Sequence, residues 1–511
     1  MVSDTDLIIL DGGTFFYSSE NGDVEERAPS GFFYRDVRHL TLWKLTIDGR
    51  EINALSSRPV DYYSARVVGT TPRDGEAAPV SVRRDRFVTE GAHEDVVLEN
   101  LTDEPQEARL ELSYEADFAD VMEAEANGQG QGRRWVETTP RSATLWSERD
   151  GYRRGTKLRF NRQGRVTKRR AVFRVRLRAR ETWKLCVDMV PLVDGIARPP
   201  LLRCEAFHDH APKMPMSLEQ WLTEAPDLVT EHSPLQRTYR RSLLDLAALR
   251  VRPDDVRIRW AMPGGGLPWF MTIFGRDSII SSYQLLPFHA EAAQATLQAL
   301  AGLQAEEWDS WRDAEPGKIL HELRRGCLAA TGKIPHTPYY GSHDSTPLWL
   351  ILLDEYERWT GDAAFVRRME PHARAALGWL EGPADLDGDG YVEYRKRSSS
   401  EHALDNHCWK DSKESIVFAD GRPAEPPLAV CEHQGYAYDA RLRAARLMRE
   451  IWGDEDEAAG LEQRAAELKE RFNKDFWCRS RRHYTLARLR EEAGRRDGVQ
   501  PRAPPVERNR R

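Results

Sequence analysis

This chain of 511 residues has no apolar run approaching the roughly 18 to 20 residues that a membrane span requires. Its opening, Met1-Val-Ser-Asp-Thr-Asp-Leu7, carries no positive segment and only the short run Leu7-Ile-Ile-Leu10, so no secretory signal is visible. The expectation is a cytoplasmic protein without a membrane partner. Cysteine is scarce. The six residues Cys186, Cys204, Cys327, Cys408, Cys431 and Cys478 include no close CxxC pair, which argues against zinc and fits free thiols in a reducing compartment. His321-Glu322 lacks the second histidine of an HExxH zinc motif, because Arg325 stands in its place. An excess of positive charge is missing too. Lys and Arg number 75 against 82 Asp and Glu, for a net charge of −7 and a pI near 6.1. Phosphate contact needs a basic surface, so nucleic acid is not an expected partner. The basic stretch from Arg153 to Arg180 alternates positives with apolar residues and reads as a solvated strand face.

What is present suffices for a multidomain protein: 40% of the residues are hydrophobic, enough for two or more cores. Two textures meet near Pro215. Before it, Leu40–Gly49, Asp95–Leu101, Ala108–Tyr114 and Ala171–Leu177 alternate with period two between Gly, Asp and Asn breaks, predicting an antiparallel β-sandwich over residues 1–215. After it, Gln236–Arg250, Glu291–Leu303, Leu348–Trp359, Ala364–Trp379, Tyr436–Ile451 and Glu457–Trp477 carry apolar stripes at helical spacing. Turn signals such as Thr360-Gly-Asp362 separate them, predicting helical hairpins around an axis over residues 216–478.

The most telling stretch is Asn406-His-Cys-Trp-Lys-Asp-Ser-Lys-Glu-Ser-Ile416. Cleaving a glycosidic acetal needs a carboxylic acid that stays protonated near neutral pH, and burial against an aromatic ring raises a carboxyl pKa. Asp411 beside Trp409 is the candidate. The plainer alternative is a helix N-terminus in which Asp411 is the cap and Glu414 completes a capping box. Upstream, Phe270–Ile280, His321–Gly326 and Pro338–Pro347 are polar and aromatic clusters at the ends of helical runs. Arg276, Asp277 and Asp344 can grip vicinal hydroxyls, while Trp269, Tyr339, Tyr340 and Trp409 offer flat faces to a pyranose ring. Ordinary core packing is the competing account of each aromatic. Asp385-x-Asp387-x-Asp389-Gly390 copies the first half of an EF-hand loop, yet Lys396 occupies its twelfth position. Glu393 at the ninth can partly substitute, so a structural calcium and a plain acidic turn both stay open.

Taken in order, "PWFMTIFGRDSI", "HELRRG", "YYGSHDSTPL", "DLDGDGYVEY", "CWKDSKESI" and "CEHQGYAYDA" resemble the bacterial amylo-α-1,6-glucosidases, the glycogen debranching enzyme-like proteins, from about Leu10 to about Tyr484. The resemblance implies an N-terminal β-domain followed by an (α/α)₆ toroid, and inverting hydrolysis of α-1,6-glucosidic linkages in glycogen-like glucans. It implies no cofactor and no metal at the site. It makes Asp411 the acid, matches Arg276 and Asp277 to a first-subsite clamp, and assigns glucosyl hydroxyls to Glu432 and Gln434. Glu432 opening a helix is the alternative.

The last segment departs from that pattern. Residues 479–511 contain eleven arginines, with Pro501, Pro504 and Pro505, and no helical periodicity, so a tail that is disordered or frame-shifted is expected. Glu491, Glu492, Asp497 and Glu507 are the acidic residues beyond Trp477, and none sits in an apolar pattern. The catalytic base of an inverting enzyme is therefore expected to be missing, leaving the toroid incomplete and the chain short of full activity. A non-catalytic glucan-binding protein and a phosphorylase on the same two-domain plan remain the alternatives.

Overall fold

The computed structural model describes residues 6–25, 29–71, 79–200, 204, 207, 212, 214–253, 257–418 and 420–489, with the backbone of 498–499. The chain forms two compact units. The first comprises residues 1–252, 264–272 and 324–333; the second comprises 253–263, 273–323 and 334–511.

The first unit is a layered antiparallel β structure. Its largest sheet runs in the order 133–139, 142–149, 152–160, 182–193, 92–100, 80–88, 64–70, 53–61; a second runs 165–166, 170–177, 106–115, 42–47, 50–51. A third sheet joins 7–11, 14–18, 31–34 and 37–40. The four runs marked by period-two alternation all lie in these strands. Strand 106–115 shows why: Ala108, Leu110, Leu112 and Tyr114 are buried while the residues between them are partly or fully exposed. They share one core with Leu158, Phe173, Val175, Leu185 and Val187 from both large sheets. Strand 92–100 is buried on both faces, and Glu94 occupies its centre. That charge is tolerated because Arg84 Nε (2.5 Å), Arg86 Nη2 (3.0 Å) and Trp43 Nε1 (2.6 Å) all donate to it. Burial pushes the Glu94 carboxyl up, but the two guanidiniums outweigh it and hold it near 2. Two helices, Leu218–Glu224 and Ser233–Ala248, belong to this unit, and Trp221 Nε1 donates to the Leu243 carbonyl at 2.9 Å.

The second unit is helical. Gly275–Leu285 and Ala290–Ala301, Ser345–Thr360 and Ala363–Leu380, and Cys431–Leu447 and Glu455–Asp475 form three hairpins among the described residues. Their turns follow from sequence. Gly361 takes φ +68° to close one helix, and Asp362 accepts from Phe365 N at 3.0 Å to open the next. Helix 345–360 is central, buried continuously from Ser345 to Asp354. Its fully buried Asp354 is neutralised by Arg358 Nε (2.8 Å), Arg443 Nη1 (2.9 Å) and Arg446 Nε (2.5 Å).

The arginine-rich segment corrects the expectation of an unstructured tail from residue 479, at least as far as Leu489. Trp477–Cys478 pairs with His483–Tyr484, and Ala487–Leu489 pairs antiparallel with Leu428–Val430. Ala487 is fully buried among Tyr394, Cys408, Ile416 and Leu428. The strand is only three residues, Ala487-Arg-Leu489, too few to register as periodicity. Strand 487–489 pairs in turn with Gly498–Val499, while Glu491, Glu492, Asp497 and Glu507 lie outside the described residues. No helix among the described residues is long and apolar enough to cross a membrane.

Candidate functional site

Three helix N-termini of the second unit bring polar residues together. Arg276 and Asp277 lie in the first turn of 275–285, Asp344 stands at the N-cap position of 345–360 without a side-chain capping bond, and Glu432 lies in the first turn of 431–447. Carboxylates suit such positions because unpaired N–H groups and the helix dipole favour negative charge. Gly275 is required where it stands: a β-carbon there would come within 2.1 Å of the Leu320 carbonyl oxygen. The site's fourth contributor is the turn-rich loop between helices 363–380 and 431–447. Asn406 braces that loop by accepting from Tyr394 Oη (2.8 Å) and donating to the Ser412 carbonyl (2.9 Å). No helix begins at Asp411, so it is not a cap and Glu414 completes no capping box.

Arg276 is the hub. Its Nη1 donates to Asp344 Oδ2 at 2.9 Å and to the Cys408 carbonyl at 3.2 Å, and its Nη2 donates to Asp411 Oδ2 at 2.9 Å. The guanidinium lies 5.2 Å from the centre of the Trp409 ring, and that ring is 54% exposed. Burial works against the charge on Arg276, yet Asp344, Asp277 and Asp411 raise its pKa above the ordinary value. Burial likewise pushes the Asp344 carboxyl up. Arg276, helped by His433 and the Ser342 hydroxyl, outweighs that and holds Asp344 below the usual range. Asp411 differs from the sequence expectation of a carboxyl shaped by burial against tryptophan. Its side chain is 37% exposed, and its organising contact is the ion pair with Arg276. Glu432 Oε2 lies 3.5 Å from Lys410 Nζ.

The other expected binders have their polar groups already engaged or belong to the first unit. Gln434 is buried, with Nε2 donating to the Val392 and Val430 carbonyls (2.8 and 3.1 Å) and Oε1 accepting from Val392 N (3.0 Å). It clips loop to helix, with both amide groups engaged by backbone. Tyr339 is fully buried; its hydroxyl donates to Asp313 Oδ2 (3.0 Å) and accepts from Leu404 N (2.9 Å). Tyr340 is buried with its hydroxyl on the Leu303 carbonyl at 2.8 Å. Both rings pack as core residues, so neither is an open platform. Trp269 belongs to the first unit, edge-to-face with Phe33 at 6.2 Å.

Sequence reasoning missed a layer of buried histidines in the same motifs. His343 stacks with His433 at 6.1 Å and lies 5.6 Å from His407, and His407 stacks on Tyr394 at 5.7 Å. Burial lowers all three, His433 to about 4 and His343 and His407 well below the ordinary value. They are neutral at physiological pH. The available signal was a histidine in or beside three of the motif stretches, His343, His407 and His433, a recurrence that spacing rules do not capture. Nearby, His336 Nε2 meets Glu322 Oε1 at 2.8 Å, and the buried Asp313 accepts from Arg397 N and Ser398 N (2.6 and 3.0 Å).

Several buried polar atoms around Arg276 find no partner among the described residues: Arg276 Nε, Glu432 Oε1, His321 Nδ1 and both ring nitrogens of His433. Native proteins pair the great majority of such groups, so these atoms are exceptions that the described residues leave unexplained. In the acidic loop, Asp385 accepts from Gly388 N and Gly390 N (both 2.8 Å), as an Asx-type turn requires. Oxygens of Asp385, Asp387 and Glu393 also lie within 4.8 Å of one another, while Lys396 turns to the Ala403 carbonyl and Asp405.

Residues 9–188 match the family model for the N-terminal domain of some glycogen debranching enzymes. No curated protein sequence matches the chain. Among solved structures, a protein named as a kojibiose phosphorylase from the human microbiome aligns with TM-score 0.52 at 10% identity, over 94% of this chain and 69% of that one. A bacterial glucoamylase complexed with acarbose aligns with TM-score 0.49 at 10% identity, over 90% of this chain and 65% of its own. The first likeness speaks to the fold: a β-sandwich domain followed by a helical domain.

Proposed function

We propose that the chain acts on α-linked glucans, as a glycoside hydrolase of debranching type that cleaves α-1,6-glucosidic bonds with inversion. The observation that supports this reading is the Arg276 guanidinium joined to Asp344 and Asp411 at 2.9 Å each and lying 5.2 Å from the ring centre of the exposed Trp409. The debranching-type match of residues 9–188 points to the same substrate class. In this reading the three hairpins belong to an (α/α)₆ toroid, and the protein works in the cytoplasm.

Trp409 is the platform for a pyranose face, and Arg276 with Asp277 and Asp344 positions the terminal glucosyl hydroxyls. Asp411 gives its proton to the glycosidic oxygen as the anomeric C–O bond breaks. A water attacks the opposite face and loses its own proton to a second carboxylate. Asp411 enters this role once bound sugar draws Arg276 away from it. We assign that second carboxylate to Glu432, in place of the hydroxyl-binding role expected from sequence and of the expected absence of a base; its Oε1 is unpartnered among the described residues and its Oε2 lies 3.5 Å from Lys410 Nζ. Gln434, Tyr339 and Tyr340 support the loops and do not touch sugar.

The test is glucose release from a branched limit dextrin, with and without inorganic phosphate, beside glycogen co-sedimentation. Glucose release that Asp411→Asn cuts by roughly 10² to 10⁴-fold with binding retained supports the assignment. A variant keeping more than about a tenth of wild-type turnover removes Asp411 from the role. Turnover only with phosphate favours a phosphorylase, the activity named for the relative of similar fold. Binding without turnover favours a glucan-binding protein, and no binding at all overturns the reading.

A further inference from the structure

A second cluster lies in the first unit, within the β-sheet. In the ladder between strands 92–100 and 182–193, His93 faces Asp188 and Asp95 faces Cys186. Positions 93 and 95 are two apart, so their side chains share one face of the sheet with the residues opposite them. His93, Asp95 and Cys186 are each at most 3% exposed. Cys204, which is exposed and follows the short strand 196–197, joins them. One ligand atom from each of His93, Asp95, Cys186 and Cys204 lies within 4.8 Å of all the others.

We propose that these four residues form a tetrahedral site for zinc or a zinc-like divalent cation, fastening Cys204 to the central ladder of the sheet. The donors are one imidazole, one carboxylate and two thiols, the classes that structural zinc takes. A tetrahedral ion with bonds of about 2.0 to 2.3 Å separates its ligand atoms by about 3.3 to 3.8 Å. His93 Nε2 and Asp95 Oδ1 are 3.1 Å apart, so a few tenths of an ångström admit the ion between them. His93 Nδ1 is held by Asp188 Oδ1 at 2.7 Å. That is the outer carboxylate which, at zinc sites, orients the imidazole and leaves Nε2 for the metal. Asn161 Oδ1 accepts from Cys186 N at 2.9 Å and steadies the strand at the thiol.

The charges balance. The cation displaces the two thiol protons to solvent, together with any proton shared between His93 Nε2 and Asp95 Oδ1. Two thiolates and Asp95 against the dication leave one negative charge, which Lys184 Nζ, 3.5 Å from Asp95 Oδ2, offsets. Dispersed cysteines conceal the site in sequence because the sheet register, rather than a CxxC spacing, brings Cys186 to His93 and Asp95.

The test uses the full chain, equilibrated with zinc chloride, desalted, and assayed by mass spectrometry for bound metal. About one equivalent per chain is expected, and cobalt in its place should give the visible bands of a tetrahedral thiolate complex. Cys186→Ser and Cys204→Ser should lose the metal, Asp188→Asn should bind it roughly 10 to 100-fold more weakly, and Cys327→Ser should keep it. Circular dichroism checks that each variant is folded, and if Cys186→Ser is not, the solvent-facing Cys204→Ser decides. A folded wild-type chain without metal, full retention in folded Cys204→Ser, or a Cys186–Cys204 disulfide in the intact mass would each overturn the proposal.

Discussion

Replacing Arg276 by methionine tests how the candidate site is held. Arg276 and Asp344 form an ion pair whose side chains are 8% and 0% exposed. Removing one partner of such a pair strands the other without compensation and costs about 3 to 5 kcal/mol. The second pair adds little: Asp411 is 37% exposed and returns to water, a loss of at most about 1 kcal/mol. For a helical unit of this size, each kcal/mol moves the midpoint by roughly 2 to 4 °C. Arg276→Met should therefore lower the transition of the second unit by roughly 6 to 20 °C at pH 7, read by scanning calorimetry with hydrogen exchange to locate it. The double variant Arg276→Met/Asp344→Asn should recover most of the loss, because exchanging both partners for neutral groups leaves no buried charge. The pH dependence has a definite sign. Folding holds Asp344 below the usual carboxylate range, so its contribution is complete above the unfolded carboxylate pKa and fades as pH falls through the folded value. Without Arg276 the burial that opposes charge on Asp344 acts uncompensated and raises its pKa, so the variant regains stability as that carboxyl takes up a proton, and the deficit of the single variant should shrink as pH falls from 7 toward 4. A midpoint change below about 2 °C at pH 7, or a double variant no better than the single, would refute the reasoning.

Three further outcomes follow from the same geometry. His433 is fully buried and lowered from 6.5 to about 4, so its contribution is complete above 6.5 and lost as pH falls from there toward 4, about 3 kcal/mol in all; His433→Phe should flatten that part of a denaturation profile, and an unchanged profile would count against a neutral buried imidazole. Gln434→Leu leaves the Val392 N–H and carbonyl without partners and should cost roughly 2 kcal/mol or more in urea unfolding, with glucan affinity per folded molecule unchanged; a selective loss of affinity would return Gln434 to the sugar. Asp277→Ala should weaken the binding of glucose or a glucose-like inhibitor by calorimetry and leave the thermal midpoint nearly unmoved, since the side chain is only half-buried; intact binding would make Asp277 a structural residue.

Sequence by itself determined what depends on local periodicity and turn chemistry. Alternation at Ala108–Tyr114 and Ala171–Leu177 marked strands because each buries one face, and the stripes from Leu348 to Trp379 marked a hairpin because Gly361 and Asp362 punctuate it. Residue chemistry also singled out Arg276, Asp344, Trp409 and Asp411, which the fold gathers around one guanidinium. Tertiary structure decided which polar atoms remain free. Gln434, Tyr339 and Tyr340 have the right chemistry for sugar, yet backbone groups and Asp313 use up their donors and acceptors, a matter of three-dimensional satisfaction that no spacing encodes. Tertiary structure also set the ionic environment of Asp411, since its Arg276 partner is 135 residues away in the chain. It likewise buried Ala487 in a segment whose composition reads as solvated, because a strand of three residues draws its stability from the partner strand rather than from its own pattern.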